Sequence, residues 1–385
     1  MNFIMRREGY AHCWSYLLIL ALIVFYYVLP KSFIFQVGGN FREFNYFLEP
    51  WFIQRYLILI VCVLYVLMMF LSSQVKLTKG LMVGVILSLV LSLGQLLAGE
   101  YVFLYAMVGA LTSYILFLDI RSNKVSVWFS NLIVIAMFTY VLQYAVYRAG
   151  GRITTSFLDP NISGYYLLLA YSVFRFGGYR ALSIIALVMG GLSLSRNFYL
   201  AVFLFEVLQL STLKEYLKSF SVFRSPYSIA LLSIVTVLIF SVMMLKVSDI
   251  NSTIGDTSDR LSNINDGSNY SRAKANVDML ERMSEGEFIF IGNGDGVDLK
   301  TEHRPHNAFL RAIYRYGLLI SLFVIFVSLY VMRIVSENTY PLFISVFAYY
   351  TLLNDFITGP EIVLLLAVSA VGSSYLKVKN KLERF

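Results

Sequence analysis

The residues best equipped for chemistry in this chain are six arginines and one histidine: Arg152, Arg196, Arg272, Arg304, Arg311, Arg315 and His306. A guanidinium stays charged at any working pH and offers a planar fork of donors that fits phosphate oxygens, so these positions speak for anion recognition. Arg196 is the sharpest case. It stands in SLSRNFYLAVF between two apolar runs, with almost no loop to carry it into water. An ionisable group at such depth is usually functional, although pairing with a buried carboxylate or snorkelling to an interface would also hold it there. Arg311 and Arg315 are four apart and share a helix face, from which they can present two guanidinium groups to one diphosphate or serve as structural or headgroup contacts. His306 follows Pro305, which suits a helix start, and falls in a first turn whose unpaired amides favour an anion. By ideal helical geometry His306 lies well round from the two arginines, so one site holding all three requires a bent or loosened turn.

Other residues offer weaker chemistry. Arg152, Asp159 and Asn161 share a segment whose Gly150, Gly151 and Pro160 can fold it over a site or merely make ordinary turns. In IGNGDG, Gly292, Gly294 and Gly296 predict a tight, irregular turn where backbone approaches backbone or ligand. His303 and His306 have a spacing seen among metal ligands, but a third ligand is not evident, so no metal centre and no cofactor are expected. Asp355 and Glu361 flank Gly359 and Pro360 and read as a solvated turn. The two cysteines, Cys13 and Cys62, form no disulfide framework. No glycine-rich phosphate loop of the nucleotide-binding kind is present, so ATP-driven chemistry is not indicated.

These residues must be positioned by unusually apolar elements. Of the 385 residues 58% are hydrophobic and only 14% charged, more apolar surface than a water-soluble domain of this length could bury. Apolar runs of about 14 to 22 residues recur along the chain, the longer ones matching a hydrocarbon core of roughly 30 Å, and in lipid such runs must be helical to satisfy their own backbone. The expected fold is an all-α polytopic membrane protein of about twelve transmembrane helices. The spans read as Trp14 to Leu29, Tyr56 to Leu71, Leu81 to Leu97, Tyr101 to Leu118, Val127 to Tyr147 and Ser163 to Phe176, then Ala181 to Leu194, Phe198 to Leu210, Ile229 to Leu245, Leu318 to Met332, Tyr340 to Leu353 and Ile362 to Tyr375. The seventh and eighth, parted only by Ser195, Arg196 and Asn197, form either a tight hairpin or one broken helix.

Orientation follows from basic loops, which stay on the cytoplasmic side. With both termini inside, the inner segments carry Arg6, Arg7, Lys76, Lys79, Arg121, Lys124, Arg175, Arg180, Lys214, Lys218, Arg224, Arg333 and the basic tail from Lys377 to Arg384. This also accounts for the net charge of +8 through anionic lipid headgroups, with no nucleic acid partner. The chain then divides into residues 1–246 with spans one to nine, residues 247–305 as one large outer loop, and residues 306–385 with spans ten to twelve and a cytoplasmic tail. Within the loop, SRAKANVDMLERM places Ala273, Val277 and Leu280 at helical spacing, predicting an amphipathic helix on the outer face of the bundle.

Five segments, in order, resemble the O-antigen polymerase and O-antigen ligase family of bacterial polysaccharide assembly. They are FLDPNISGYYLLL from Phe157, GGLSLSRNFYLAVF from Gly190, NYSRAKANVDML from Asn269, FIFIGNGDG from Phe288 and RPHNAFLRAIYRYGLLIS from Arg304. The amino-terminal half matches that family only in hydropathy. The resemblance implies a bacterial inner-membrane enzyme performing inverting, metal-independent glycosyl transfer at the periplasmic face. It implies catalytic roles for Arg196, Arg272 and His306 of the HN pair completed by Asn307; beside the resemblance, the residues themselves offer Arg152, Asp159, Asn161, Arg304, Arg311 and Arg315 as candidate substrate contacts.

The expected substrate is an undecaprenyl diphosphate-linked oligosaccharide, as both donor and acceptor, within membrane lipid; a chain-length regulator protein is an implied partner. A polymerase joining lipid-linked repeat units is the leading expectation. The ligase of the same fold, which hands finished glycan to the lipid A core, needs the same donor pocket. A flippase for lipid-linked sugars is the reading from a different class; the absence of repeated halves and the one-sided collection of unusual charges count against it.

Overall fold

The computed structural model describes residues 2–29, 35–37, 40–42, 50–72, 86, 102–122, 125–143, 148–149, 152–153, 160–193, 195–210, 267–288, 292, 308–318, 320–322, 340–353 and 360–382. The described chain is helical, with two short hairpins. Helix α1 (Asn2–Ile23) runs into a wider turn over Val24–Val28, and α2 covers Pro50–Leu71. Next come α3 (Val102–Ser122), α4 (Val127–Gln143), α5 (Pro160–Phe176), α6 (Arg180–Leu192) and α7 (Arg196–Gln209). The last four are α8 (Gly267–Ser284), α9 (Ala308–Tyr316), α10 (Tyr340–Leu353) and α11 (Pro360–Leu382). The expected spans at Leu81 to Leu97 and Ile229 to Leu245, and nearly all of the one at Leu318 to Met332, lie outside the described residues. Among the described residues no helix is long and apolar enough to cross a membrane.

The hairpins are an addition to the all-helical expectation. Strands β1 (Phe35–Val37) and β2 (Asn40–Arg42) pair antiparallel, as do β3 (Arg148–Ala149) and β4 (Arg152–Ile153). In sequence each pair is linked by two glycines, the residue type that two-residue hairpin connections favour, and four or six strand residues are too few to register as alternation.

Polar contacts sort the helices into two ends. At the lower end, where α1 and α4 begin, the Tyr16 hydroxyl accepts from the Ser126 amide (3.1 Å), and Asn131 Oδ1 accepts from both Tyr179 and Tyr375 (2.7 Å each). Ser130 and Ser374 share a buried hydrogen bond of 2.7 Å, and Ser15 meets Tyr65 at 3.0 Å. At the upper end Tyr27 donates to the Tyr166 carbonyl (3.2 Å) and Tyr105 to Glu361. It follows that α1, α4, α6 and α10 run one way and α2, α3, α5, α7 and α11 the other. The ambiguous stretch around Ser195 resolves as a hairpin: α6 and α7 are separate, oppositely directed helices, fastened where the Tyr199 hydroxyl donates to the Gly191 carbonyl at 2.7 Å.

One core runs through α1 to α7, α10 and α11, and α8 and α9 share a small satellite core of Ala275, Met279, Leu310, Ile313 and Tyr314. The expected amphipathic helix is therefore present as α8, and of the expected face Leu280 packs against this satellite core. Ala275, Asp278 and Met279 are buried, because α8 lies against α9 along the i, i+4 line through Ala275 and Met279, whereas Val277 and Leu280 are only half-buried.

Candidate functional site

Two helix starts meet at the upper end. Gly164, in the first turns of α5, lies so close to Tyr349 of α10 and to Ser195 and Phe198 of α7 that an added Cβ would stand 2.6 Å from the Tyr349 hydroxyl, 3.4 Å from Phe198 Cβ and 3.6 Å from Ser195 Cβ. A side chain here would have to push the Tyr349 hydroxyl aside, so glycine favours the approach. It sets the first turn of α5, which carries Asn161, beside the first turn of α7, which carries Arg196. Each start brings the positive end of a helix dipole, and the α7 start closes where the Ser195 carbonyl accepts the Phe198 amide at 3.1 Å. Strand β4, which carries Arg152, packs against α6, the helix that leads directly into Arg196.

Beneath this junction lies a layer of tyrosines. The Val24–Val28 turn closes with the Leu29 amide bonded to the Val24 carbonyl at 2.9 Å, an i to i+5 spacing that widens the helix and turns the consecutive Tyr26 and Tyr27 inward, both fully buried. Their rings meet Tyr166 at 5.4 and 5.7 Å, Tyr140 meets it at 5.9 Å, and Tyr165 joins Tyr166 at 5.0 Å to Tyr349 at 6.0 Å. These spacings and tilts suit aromatic pairs. The layer connects the Gly164–Ser195 junction to the start of α11, where Tyr105 donates to both oxygens of Glu361 at 3.2 and 3.3 Å. Glu361 is thus half-buried between helices, and the expectation of a merely solvated turn is corrected.

The second group of candidates forms on α8 and α9. Their shared core sets the helix of Arg272 against the helix of Arg311 and Arg315, and the turn after α8 locks the two together. Phe288, at φ 59°, accepts the Leu318 amide at 2.7 Å and packs its ring on Tyr314 at 5.4 Å, with the Arg282 guanidinium 5.0 Å from its centre. Arg282 also pairs with Glu287 at 2.6 Å. Gly292 lies against the backbone of Arg315 and Tyr316, so tightly that a Cβ would collide with it; the close approach expected of the IGNGDG segment is backbone on backbone. Arg311 and Arg315 are half-buried, and the Arg315 guanidinium lies 5.7 Å from the Tyr316 ring. Helix α9 packs on α10, and α10 packs on α5 and α7, so α10 links the two groups.

Asp159, Arg304, His306 and Asn307 lie outside the described residues, as does His303. Among the described residues no three His, Cys, Asp or Glu side chains are grouped to hold a metal ion. Cys13 is exposed and Cys62 buried, and neither is bonded to another cysteine. The sequence alone does not point to the tyrosine layer or to the Tyr105–Glu361 pair. The doublets Tyr26–Tyr27 and Tyr165–Tyr166 are visible signals, but nothing local says that two such doublets meet. Comparison of the chain with protein-family models, with curated proteins and with solved structures found no match.

Proposed function

We propose that this chain is a multi-pass bacterial inner-membrane glycosyltransferase of the O-antigen polymerase type, with both termini cytoplasmic and its active site at the periplasmic, upper end. The observation that carries this reading is the assembly of the five family-like segments. Those beginning at Phe157 and Gly190 meet at Gly164 and Ser195, those beginning at Asn269, Phe288 and Arg304 join through α8, Gly292 and α9, and α10 connects the two sets. Segments far apart in sequence thus come together as two packed groups joined by one helix.

The membrane reading is supported by how apolar residues face. Leu57, Ile60, Leu64, Leu67 and Leu71 form an exposed stripe on α2, Trp128, Leu132, Ile135 and Leu142 on α4, and Ile184, Val188 and Leu192 on α6. Serines and tyrosines meanwhile fill the interior, among them Ser130, Ser163, Ser172, Ser195 and Ser369. Large exposed apolar faces call for an apolar surrounding, and small polar residues suit helix contacts within lipid.

In this reading the bond between the donor's anomeric carbon and its phosphate breaks as an acceptor sugar hydroxyl attacks from the opposite face, leaving undecaprenyl diphosphate. Arg196 and Arg272 stabilise the charge that grows on the diphosphate, assisted by the amides at the start of α7. His306, two residues before α9 in sequence, takes the hydroxyl proton. Arg152, Asn161, Arg311 and Arg315 contact the substrate around them, and a chain-length regulator acts on the same end.

The test is the surface-glycan ladder in cells lacking the protein and complemented with native chain or Arg196→Ala, Arg272→Ala or His306→Ala at matched expression. The expected result is a single repeat unit on the lipid core in the deletion strain, with each variant failing to restore the ladder. Loss of all glycan from the core with accumulation of lipid-linked polymer would make the protein a ligase. Trapping of single units on the cytoplasmic side would make it a flippase.

A further inference from the structure

We infer that Glu361, held by Tyr105 at the start of α11, binds a hydroxyl of the incoming acceptor sugar; the inference rests on the glycosyltransferase reading above. Glu361 stands in the first turn of α11, just before the span expected from Ile362, at the border between the helix bundle and the polar end. Glu361 is half-buried, its orientation is set by the buried Tyr105 hydroxyl, and it lies near enough to Tyr26, Tyr166 and Cys62 to act on them electrostatically.

Charge sign decides what such a group can serve. A diphosphate is drawn to the Arg196 helix start and repelled by Glu361, whereas a neutral, hydroxyl-rich sugar offers donors to a carboxylate. The Tyr166–Tyr165–Tyr349 run of the tyrosine layer spans from the Glu361 side to the Gly164–Ser195 junction, so one rigid floor supports an anion-binding half and a hydroxyl-binding half. A transfer between two lipid-linked glycans requires both halves at one end of the bundle.

Glu361→Gln tests this, because a glutamine oxygen still accepts from Tyr105 and preserves the helix contact. Two readouts are taken on the full chain: the ladder in cells, and thermal stabilisation of the detergent-purified protein by undecaprenyl diphosphate. The expected result is roughly tenfold less polymer, as for loss of one charged hydrogen bond, with native melting temperature and native stabilisation by undecaprenyl diphosphate, and partial recovery in Glu361→Asp. Should Glu361→Gln alone lower the melting temperature, the Asp variant, which keeps the charge, decides: recovery of the ladder supports the assignment and no recovery overturns it. A native ladder in Glu361→Gln, with melting lowered only in Tyr105→Phe, would make the pair a helix clamp and overturn the assignment. In either case Arg196→Ala reports on the wider reading: a lost ladder there leaves the enzyme standing, and a native ladder there and in the deletion strain removes both.

Discussion

The two ends of the bundle solve opposite problems. At the lower end every named polar group is spent on another helix: Asn131 draws Tyr179 and Tyr375 together, Ser130 meets Ser374, and Arg175 is matched by Glu206 with Tyr171 as a third party. At the upper end polar groups arrive on helix starts instead. Asn161 and Arg196 stand in first turns packed side by side, and Glu361 opens α11. Helices start at both ends, but the starts that carry Asn161, Arg196 and Glu361 are all at the upper end, so in the proposed reading the lower end holds helices together and the upper end takes the substrate. The same helices carry both, which makes the difference one of end and not of domain.

The contrast is broken most forcefully at the glycines that allow close approach. Gly164→Leu would drive a side chain into the Tyr349 hydroxyl and Phe198, and overpacking of this kind costs about 1–3 kcal/mol or more. A clear fall in melting temperature and loss of the ladder are both expected, since the junction that orients Arg196 would open. Gly292→Val meets backbone of Arg315 and Tyr316, which cannot rotate away as a side chain can. The expected loss is of similar size, about 1–3 kcal/mol, and falls on the α8–α9 unit, read as faster proteolysis between α8 and α9 than within the bundle. At the lower end Ser130→Ala leaves Ser374 without its 2.7 Å partner, for which about 1 kcal/mol is expected. Melting should fall slightly and the ladder should stay native.

Much of this organisation could be read from the chain, and the parts that could not share one cause. Apolar runs give helices at Tyr340–Leu353 as expected and at Pro360–Leu382 with extended ends, because the pattern of a single segment decides whether it is helical. Pairing between segments is not a local property. The approach of the α5 start to the α7 start depends on Gly164 finding Tyr349 and Phe198, residues far along the chain. Glu361 was read as solvated because its neighbours in sequence are Gly359 and Pro360, while its neighbour in space is Tyr105. On α8 the same cause decides which residues meet α9: Ala275 and Met279 do, with Leu280 beside them.

The smallest effect sharpens the comparison most. Arg175 forks onto Glu206 through Nε to Oε1 at 3.0 Å and Nη2 to Oε2 at 3.1 Å, and Tyr171 adds a donor to Oε1 at 2.7 Å. By its geometry this is a well-formed ion pair, with two parallel donor contacts. Yet its side chains are 46% and 34% exposed, so solvent screening holds its worth to about 0.2–1 kcal/mol. Arg175→Met should therefore lower the melting temperature by little and leave the ladder native, because Tyr171 still holds Glu206 and α5 still packs on α7 along its apolar side. Arg196→Ala, on the same pair of helices at the other end, should do the reverse, leaving melting nearly native and abolishing the ladder. A folded Arg175→Met protein that made no polymer would mean that the lower end also takes part in the chemistry, and the division of labour between the two ends would be lost.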